Sequence, residues 1–287
     1  MSPPKSTLTT PALTVLTLIA FAANSILARM ALETASIDAA SFMTLRLSSG
    51  AIILTTIMAL CKRNPVVPIQ GKGIAAVMLF INFVTSAFSY LQLPVDTGAL
   101  ILFCSVQVTM ILIALKQGEK PQLLEWIGLC LALAGLIYLV SPGLTAPPLV
   151  GSCLMVISGS TWGIYSLLGR STKDPLSYTT ANFVHAVPLA VGVSLVSFSE
   201  AHITPLGIIL AILSGTLPSG VGCVIWYAAL RGLTATRAAT VQLAAPVIAD
   251  IGGIIFFNEK STWRLSLSSL LILGGIGLAI KGRKNPP

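Results

Sequence analysis

The sequence predicts an all-α integral membrane protein in which ten transmembrane helices form two inverted five-helix repeats around a central cavity. Three observations lead to this fold class. The composition is 55% hydrophobic and only 9% charged, with a mean hydropathy of +0.90, whereas soluble domains are about 25% charged. Apolar runs long enough to span a bilayer occur along the whole chain, and two segments of the first half recur in the second half.

The apolar runs define the spans, because a membrane helix needs about 20 mainly apolar residues. Short polar stretches or Pro and Gly separate ten such runs: 11–31, 39–61, 72–93, 97–115, 122–140, 148–169, 177–198, 204–230, 234–257 and 263–281. The runs divide into five for each half. The first repeat is therefore predicted over residues 1–145, and the second, inverted repeat over residues 146–287.

An internal repeat with an offset of 140 residues supports the same division. The identities are Glu119, Lys120, Leu131, Leu133 and Gly135, which recur as Glu259, Lys260, Leu271, Leu273 and Gly275. A second internal repeat, at an offset of 141 residues, pairs Ser25 with Ser166, Leu27 with Leu168 and Arg29 with Arg170. A duplicated unit explains both.

The basic residues predict the orientation in the membrane, because Lys and Arg concentrate in short cytoplasmic loops. Thirteen of the seventeen fall on one predicted side: Lys5, Lys62, Arg63, Lys72, Lys116, Lys120, Arg170, Lys173, Arg231, Arg237, Lys281, Arg283 and Lys284. Both termini are therefore predicted to be cytoplasmic, in agreement with an even number of spans. This topology and anionic lipid explain the net charge of +8, so the lipid bilayer is an expected partner and nucleic acid is not.

An odd number of spans in each repeat has a geometric consequence. A five-span unit that starts in the cytoplasm ends outside, so the second copy lies upside down relative to the first. Inverted repeats are typical of secondary transporters, whose similar halves open one central site to each face in turn. Channels and membrane enzymes also contain repeats, so the arrangement favours a transporter of a small molecule without requiring one. A monomer is sufficient for such a site, and the oligomeric state stays undefined.

The first span carries Asn24 and Ser25 inside an apolar run. Lys5 ahead of this run also fits a signal peptide, but nine further spans and the recurrence of Arg29 in the second repeat favour an uncleaved helix. Polar groups in lipid need partners, so Asn24 and Ser25 are expected to face other helices or a water-filled cavity. Helix packing and cavity lining are equally open for them, and Asn24 is a candidate substrate-binding residue.

Arg46 lies in the second span, about two turns from its predicted outer end. A charge at the middle of a membrane costs roughly 2.5 kcal/mol or more, so Arg46 needs a partner or a route to the interface. It either attracts a substrate carboxylate, pairs with a cavity acid, or acts as a gate or topology residue whose head reaches the outer interface. The sequence favours the last interpretation.

The third span has one face that combines hydrogen-bonding groups with aromatic rings. Asn82, Phe83, Ser86 and Tyr90 recur at helical spacing. Asn82 and Tyr90 can hydrogen-bond an ammonium or a carboxylate, and Phe83 offers an apolar or cation–π surface. This face is therefore predicted to line the cavity, although a ring near the outer end, such as Tyr90, also fits an interfacial belt.

Gln107 in the fourth span and Gln242 in the ninth are the first candidates for substrate contact. Gln242, Pro246 and Asp250 are spaced by four residues and so share one helical face. Pro246 has no amide proton and frees a carbonyl near Gln242, and transporters tolerate such breaks where they line a cavity. Gln107 and Gln242 are predicted to meet at the axis between the halves. An interhelical amide hydrogen bond is the alternative.

Asp250, His185 and Arg46 are the candidates for proton coupling or gating. Asp250 is the one carboxylate well within an apolar run, and an acid inside the membrane is a functional candidate because burial disfavours its charged form. The alternative is a salt bridge to a basic residue of the same predicted outer half: Arg29, Arg46, Lys260 or Arg264. His185, near the middle of the seventh span, is either a proton site or a hydrogen-bonded helix residue.

The sixth span places Trp162 and Tyr165 near the depth that Asn24 and Ser25 have in the first span. An amino-acid side chain can pack on Trp162 while its polar end bonds to Tyr165 or Ser166. Two aromatic residues flanked by glycine also fit ordinary helix packing. Both interpretations are open, and both residues are candidate substrate-binding residues.

Three segments resemble the EamA-type drug/metabolite transporter superfamily: FAANSILAR (Phe21–Arg29), TWGIYSLLGR (Thr161–Arg170) and APVIADIGGIIFFNEK (Ala245–Lys260). The resemblance covers the whole chain and is closest to the bacterial branch that exports aromatic and other neutral amino acids. It implies ten helices in two inverted bundles around a cavity, a location in the bacterial inner membrane, and export of a metabolite. The first copy departs from the pattern, with Val106 where the second has Pro246 and Phe21 where the second has Trp162.

The sequence lacks the motifs that other functional classes need. Two distant histidines, His185 and His202, do not make a metal cluster, and there is no nucleotide-binding loop or nucleophile elbow. The chain is therefore not expected to be an enzyme or to need a metal or cofactor, and its five cysteines read as small apolar residues. Two alternatives to amino-acid export are a carrier of another small metabolite or drug-like cation, and a membrane scaffold or sensor that moves no solute.

Overall fold

A computed structural model describes residues 9–61, 73–93, 95–141, 147–257 and 263–281. The α-helices in these ranges are α1 (Thr9–Glu33), α2 (Ala39–Cys61), α3 (Gly73–Ser89), α4 (Val95–Lys116), α5 (Leu123–Val140), α6 (Leu149–Leu168), α7 (Pro175–Val196), α8 (Pro205–Ser214), α9 (Gly222–Leu230), α10 (Ala235–Gln242), α11 (Ala244–Phe257) and α12 (Trp263–Lys281). A π-helical segment, Gly215–Val221, joins α8 to α9. The repeated Glu259 and Lys260 lie outside the described residues.

The helices of the described residues follow the predicted apolar runs. Seven helical segments are long and apolar enough to cross a membrane, while α3 and most of α5 are apolar but shorter. Two runs differ from the prediction of one helix each: the eighth contains the π segment, and the ninth is divided into α10 and α11. These apolar helices are those of a multi-pass membrane protein. The number of ten spans stays a prediction.

The closest packing joins helices from different halves of the chain. α5 lies along α12, α2 along α7 and α4 along α10. α3 and α4 pack on α6, while α1 packs on α8, α9 and α11. Where α5 crosses α12, a side chain on Gly128 would collide with the backbone of Gly275, and a side chain on Gly275 would collide with that of Gly128. Glycine is needed at both positions because the two backbones touch.

The contacts between loops define two opposite faces of the bundle. At the terminal face, Gly232, between α9 and α10, packs against Thr10 near the start of α1, and Arg237 Nη2 of α10 donates to the Ile280 carbonyl at the end of α12 at 2.7 Å. At the distal face, Thr204 Oγ1 donates to the Ser36 carbonyl at 2.8 Å and ties the loop before α8 to the loop after α1. The distribution of basic residues predicts that the terminal face is cytoplasmic.

Candidate functional site

A cavity of about 370 Å³ lies between helices of the two halves. Its walls come from α1 to α4 on one side, and from α6, the π segment, α9, α10 and α11 on the other. It reaches the distal face at Leu32, Leu91 and Leu93. Eight of the eleven predicted site residues line it: Asn24, Arg46, Asn82, Phe83, Tyr90, Trp162, Gln242 and Asp250. Polar, aromatic and ionisable side chains therefore converge at this one place.

Aromatic rings form the floor of the cavity toward the terminal face. Ring centroids are 5.7 Å apart between Trp162 and Tyr165, 5.4 Å between Tyr165 and Tyr227, and 5.3 Å between Tyr227 and Tyr178. The Tyr227 hydroxyl donates to the Tyr165 carbonyl at 2.8 Å, and both rings are fully buried. The lining ends at Trp162 on this side, so the rings separate the cavity from the terminal face.

Beyond this aromatic floor, Glu119 joins three elements at the terminal face. Its carboxylate accepts from Arg170 Nη1 at 2.9 Å and from the amides of Ala235 at 2.9 Å and Thr236 at 3.3 Å, at the start of α10. Burial alone would raise the pKa of Glu119, but the two backbone hydrogen bonds and Arg170 together lower that pKa below its ordinary value. A carboxylate at a helix N-terminus also suits the helix dipole. Glu119, Arg170, Ala235 and Thr236 form what we call the terminal latch.

Arg46 lies within the cavity wall instead of extending to the interface. Its Nε donates to Ser219 Oγ at 2.7 Å, and its Cζ lies 4.0 Å from the centroid of the Phe83 ring. The first contact joins α2 to the π segment, and the second joins α2 to α3. The guanidinium is therefore stacked on one wall residue and hydrogen-bonded to another.

The π segment explains how Ser219 reaches Arg46. Pro218 has no amide proton, so the regular α-helical hydrogen bonds cannot continue through it, and a wider π turn accommodates the interruption. Gly215, in the same segment, packs against the Arg46 carbonyl and leaves no room for a side chain. The segment thus approaches α2 closely enough for Ser219 to accept a hydrogen bond from Arg46.

Gln242 orients the Trp162 ring at the cavity wall. Trp162 Nε1 donates to Gln242 Oε1 at 2.8 Å, and Gln242 Nε2 donates to the Ala238 carbonyl at 3.2 Å. Phe21 packs edge-on against Trp162, with centroids 5.3 Å apart. α10 ends at Gln242, four residues before Pro246, which has no proton to donate to the Gln242 carbonyl. The predicted helix break at this position is confirmed.

Asn24 and Asn82 line the cavity and also connect helices. Asn82 Nδ2 donates to the carbonyl and to Oγ of Ser158, each at 3.0 Å, and so joins α3 to α6. Ser214 Oγ donates to Asn24 Oδ1 at 2.6 Å and joins α1 to α8. Each amide therefore borders the cavity and contributes to helix packing at once.

Gln107, Tyr165 and His185 are not among the cavity-lining residues. Gln107 is 1% exposed and donates from Nε2 to the Ala239 carbonyl at 2.6 Å. It therefore contacts the backbone of α10, whereas the sequence predicts a contact with the Gln242 side chain. Tyr165 belongs to the aromatic floor. His185 is exposed on α7, with Nδ1 2.6 Å from the Ala181 carbonyl. The rotation of each of the three helices about its axis directs these side chains away from the cavity.

Three further lining residues escaped the sequence analysis: Ser158, Ser219 and Cys223. Pro218, beside Ser219, is the one available signal, because a proline in a membrane helix accompanies a local change in hydrogen bonding. Ser158 and Cys223 carry no comparable signal, since small residues occur on any packed helix face.

Known proteins resemble this chain in sequence and in fold. The model of the EamA-like transporter family matches residues 9–141 and again residues 149–281. An uncharacterized protein of Pseudomonas aeruginosa is 44% identical over 271 residues, which cover 94% of each chain. Uncharacterized transporters of Archaeoglobus fulgidus and of Bacillus subtilis (YoaV) are 24% and 23% identical, over 76% and 82% of this chain and 79% and 85% of theirs. A crystal structure with 18% identity matches 94% of this chain and 99% of its own with a TM-score of 0.77, a likeness of fold alone.

Proposed function

This chain belongs to the EamA-like transporter family and is a membrane transporter of small molecules, and we propose that it exports aromatic and other neutral amino acids by alternating access. In this proposal, two inverted five-helix halves open one central cavity to each face in turn. The protein lies in a bacterial inner membrane with its terminal face in the cytoplasm.

Two equivalent halves are supported by the repeated match and by the packing. The family model matches each half separately, at residues 9–141 and 149–281. Exchange of each span with its counterpart in the other half reproduces the main helix contacts. The contact of α3 with α6 has its counterpart in α1 with α8 and α9, and the contact of α4 with α6 has its counterpart in α1 with α11. Such a pattern is what a two-fold exchange between conformations requires.

The single observation that carries the proposal is a cavity that reaches one face and is closed at the other. Its lining extends to Leu91 and Leu93 at the distal face. Toward the terminal face, the aromatic floor and the terminal latch stand between the cavity and the loops. A carrier that works by alternating access keeps one end of its site closed while the other is open.

Amino acids suit the cavity in size and in chemistry. A volume of about 370 Å³ lies within the usual range for small-molecule sites, about 300–1,000 Å³. The Trp162 and Phe83 rings offer an apolar surface to a side chain. Arg46 and Asp250 supply opposite charges for a zwitterion, while Asn24 and Gln242 add amide groups.

A carrier of drug-like cations is the second candidate, and the charges of the cavity argue against it. Of the described lining residues, Arg29 and Arg46 are cationic and Asp250 is anionic, a balance that favours an anionic or zwitterionic solute. A scaffold or sensor would bind partners and move no solute.

Counterflow in proteoliposomes that contain only the purified protein tests the proposal. Tritiated phenylalanine, threonine and methionine are presented outside, with the unlabelled amino acid inside. We expect uptake above that of empty liposomes and a decrease of about tenfold in Gln242→Leu, because Trp162 loses its hydrogen-bond acceptor, an interaction worth about 1–1.5 kcal/mol.

His185→Ala is the matched control, because His185 is exposed on α7 and does not line the cavity. Its uptake should equal that of the wild type. If folded wild-type protein takes up none of the three amino acids, the substrate assignment is wrong. If uptake is normal in Gln242→Leu, the substrate binds elsewhere.

A further inference from the structure

The guanidinium of Arg46 is held in one orientation at the cavity wall. Ser219 Oγ accepts from Nε at 2.7 Å and fixes one edge of the group. The Phe83 ring lies 4.0 Å from Cζ and fixes its plane, a stacked arrangement that suits arginine better than lysine. The side chain is therefore prepared to meet a partner inside the cavity.

Within the described part of the chain, no carboxylate lies at ion-pair distance from Arg46. Two ion pairs of those ranges, Arg170 with Glu119 and Arg237 with Glu125, lie at the terminal face and do not involve Arg46. A guanidinium has five N–H donors, and Ser219 accepts only the one on Nε. The two terminal nitrogens have no protein acceptor among the described residues, so their four N–H groups are available to a ligand.

The described contacts of Arg46 leave its positive charge uncompensated. The guanidinium is held by the Ser219 hydroxyl and the Phe83 ring, and neither group carries a charge. A charge at membrane depth is unfavourable and marks a functional site by default. The missing counter-ion is therefore best supplied by the solute.

The geometry of the free edge specifies the chemistry of that counter-ion. Two terminal nitrogens of a guanidinium present parallel N–H groups that match the two oxygens of a carboxylate. We propose, on the basis of the transport function proposed above, that the transported solute must carry a carboxylate, which binds both terminal nitrogens of Arg46. Ser219 is a positioning residue that keeps this edge directed at the cavity.

Two ligands of equal shape and different charge test the inference by binding alone. 3-Phenylpropionate and 3-phenylpropanamide differ in the carboxylate, and neither carries the ammonium group of an amino acid. Isothermal titration calorimetry on the full-length protein in detergent should show the acid binding at least about tenfold more tightly than the amide, as expected for a charged hydrogen-bonded pair. Equal affinities, or no binding of the acid, would overturn the inference.

Variants of Arg46 and Ser219 assign the effect to this site. Arg46→Gln should abolish the preference for the acid, and Arg46→Lys should restore part of it, because lysine keeps the charge but not the two parallel donors. Ser219→Ala should reduce the preference without removing it, and a pattern in which it matches Arg46→Gln would contradict a positioning role. Thr216→Ala is the control and should bind as the wild type does, because Thr216 is a half-buried residue of the same π segment that does not line the cavity.

The outcomes separate this inference from the amino-acid assignment. Selective binding of the acid without counterflow of phenylalanine, threonine or methionine supports the carboxylate requirement and overturns the amino-acid assignment. Counterflow of phenylalanine together with equal counterflow of its amide supports the proposed transport function and overturns the carboxylate requirement.

Discussion

Removal of the charge of Glu119 should open the terminal face. In Glu119→Gln, the side chain keeps its size but loses the carboxylate that accepts from Arg170 Nη1 at 2.9 Å and from the Ala235 amide at 2.9 Å. These bonds join the loop after α4, the end of α6 and the start of α10, which separate when the terminal face opens in the proposed cycle. The substitution therefore weakens the closed state and leaves the open state unaffected.

The expected loss is about 2 kcal/mol. Hydrogen bonds to charged groups contribute about 1.5–3 kcal/mol each, but the side chains of Arg170 and Glu119 are 29% and 19% exposed, so solvent screening reduces the sum of the two bonds. Because 1.4 kcal/mol corresponds to a factor of ten, about 2 kcal/mol shifts the ratio of open to closed terminal faces by about thirtyfold.

A cysteine in the cavity measures this ratio from both sides of the membrane. Ser25 is exposed and lines the cavity, so Ser25→Cys is introduced after the five native cysteines are replaced by alanine. A membrane-impermeant thiol reagent is then applied to each side of oriented vesicles. The ratio of the labelling rate from the terminal side to that from the distal side should rise about thirtyfold in Glu119→Gln.

Glu200→Gln is the control, since Glu200 is an exposed acid at the distal face and its neutralisation should leave the ratio unchanged. Arg170→Gln should raise the ratio in the same direction as Glu119→Gln. If neither substitution at the latch changes the ratio, the latch does not hold the terminal face closed and the reasoning is wrong.

Two further predictions concern pH and helix packing. Because the pKa of Glu119 is lowered in the closed state, the latch contributes its full stability above the ordinary pKa of 4.5 and loses it as pH falls through the lowered value. The labelling ratio should thus stay constant between about pH 8 and pH 5 and rise only at lower pH. Gly128→Val should lower the thermal unfolding midpoint in detergent strongly, because the side chain would enter the Gly275 backbone and overpacking costs about 1–3 kcal/mol or more. Gly274→Ala, with open space around it, should leave the midpoint unchanged, and equal midpoints for both variants would contradict the close crossing of α5 and α12.

The sequence is most informative where covalent chemistry dictates the backbone. Pro246 predicts the end of α10 at Gln242, because a residue without an amide proton breaks the ladder at a defined place. Pro218 has the same chemistry, yet the eighth run reads as one helix, since a π turn absorbs the interruption without ending the span. A proline therefore indicates that hydrogen bonding changes locally and leaves the form of the change open.

The direction of each side chain is much harder to predict in a membrane protein. Lipid and protein interior are both apolar, so a helix face toward lipid and a face toward another helix have similar composition. Asn82 reveals its face because an amide needs partners. Gln107 has the same chemistry but finds its acceptor in the backbone of α10. Arg46 shows the same limit, because a sequence does not tell whether a long side chain reaches the interface or folds back onto Phe83.

The aromatic floor has a consequence for the energy supply of the cell. A membrane at 100 mV does about 2.3 kcal/mol of work on each unit charge that crosses it, so even a narrow water-filled leak dissipates the gradient that other proteins use. The packed rings of Tyr165, Tyr227 and Tyr178 lie between the cavity and the terminal face, where such a leak would have to pass. In the proposed cycle, these rings would keep the bilayer electrically tight while the cavity is open to the distal face.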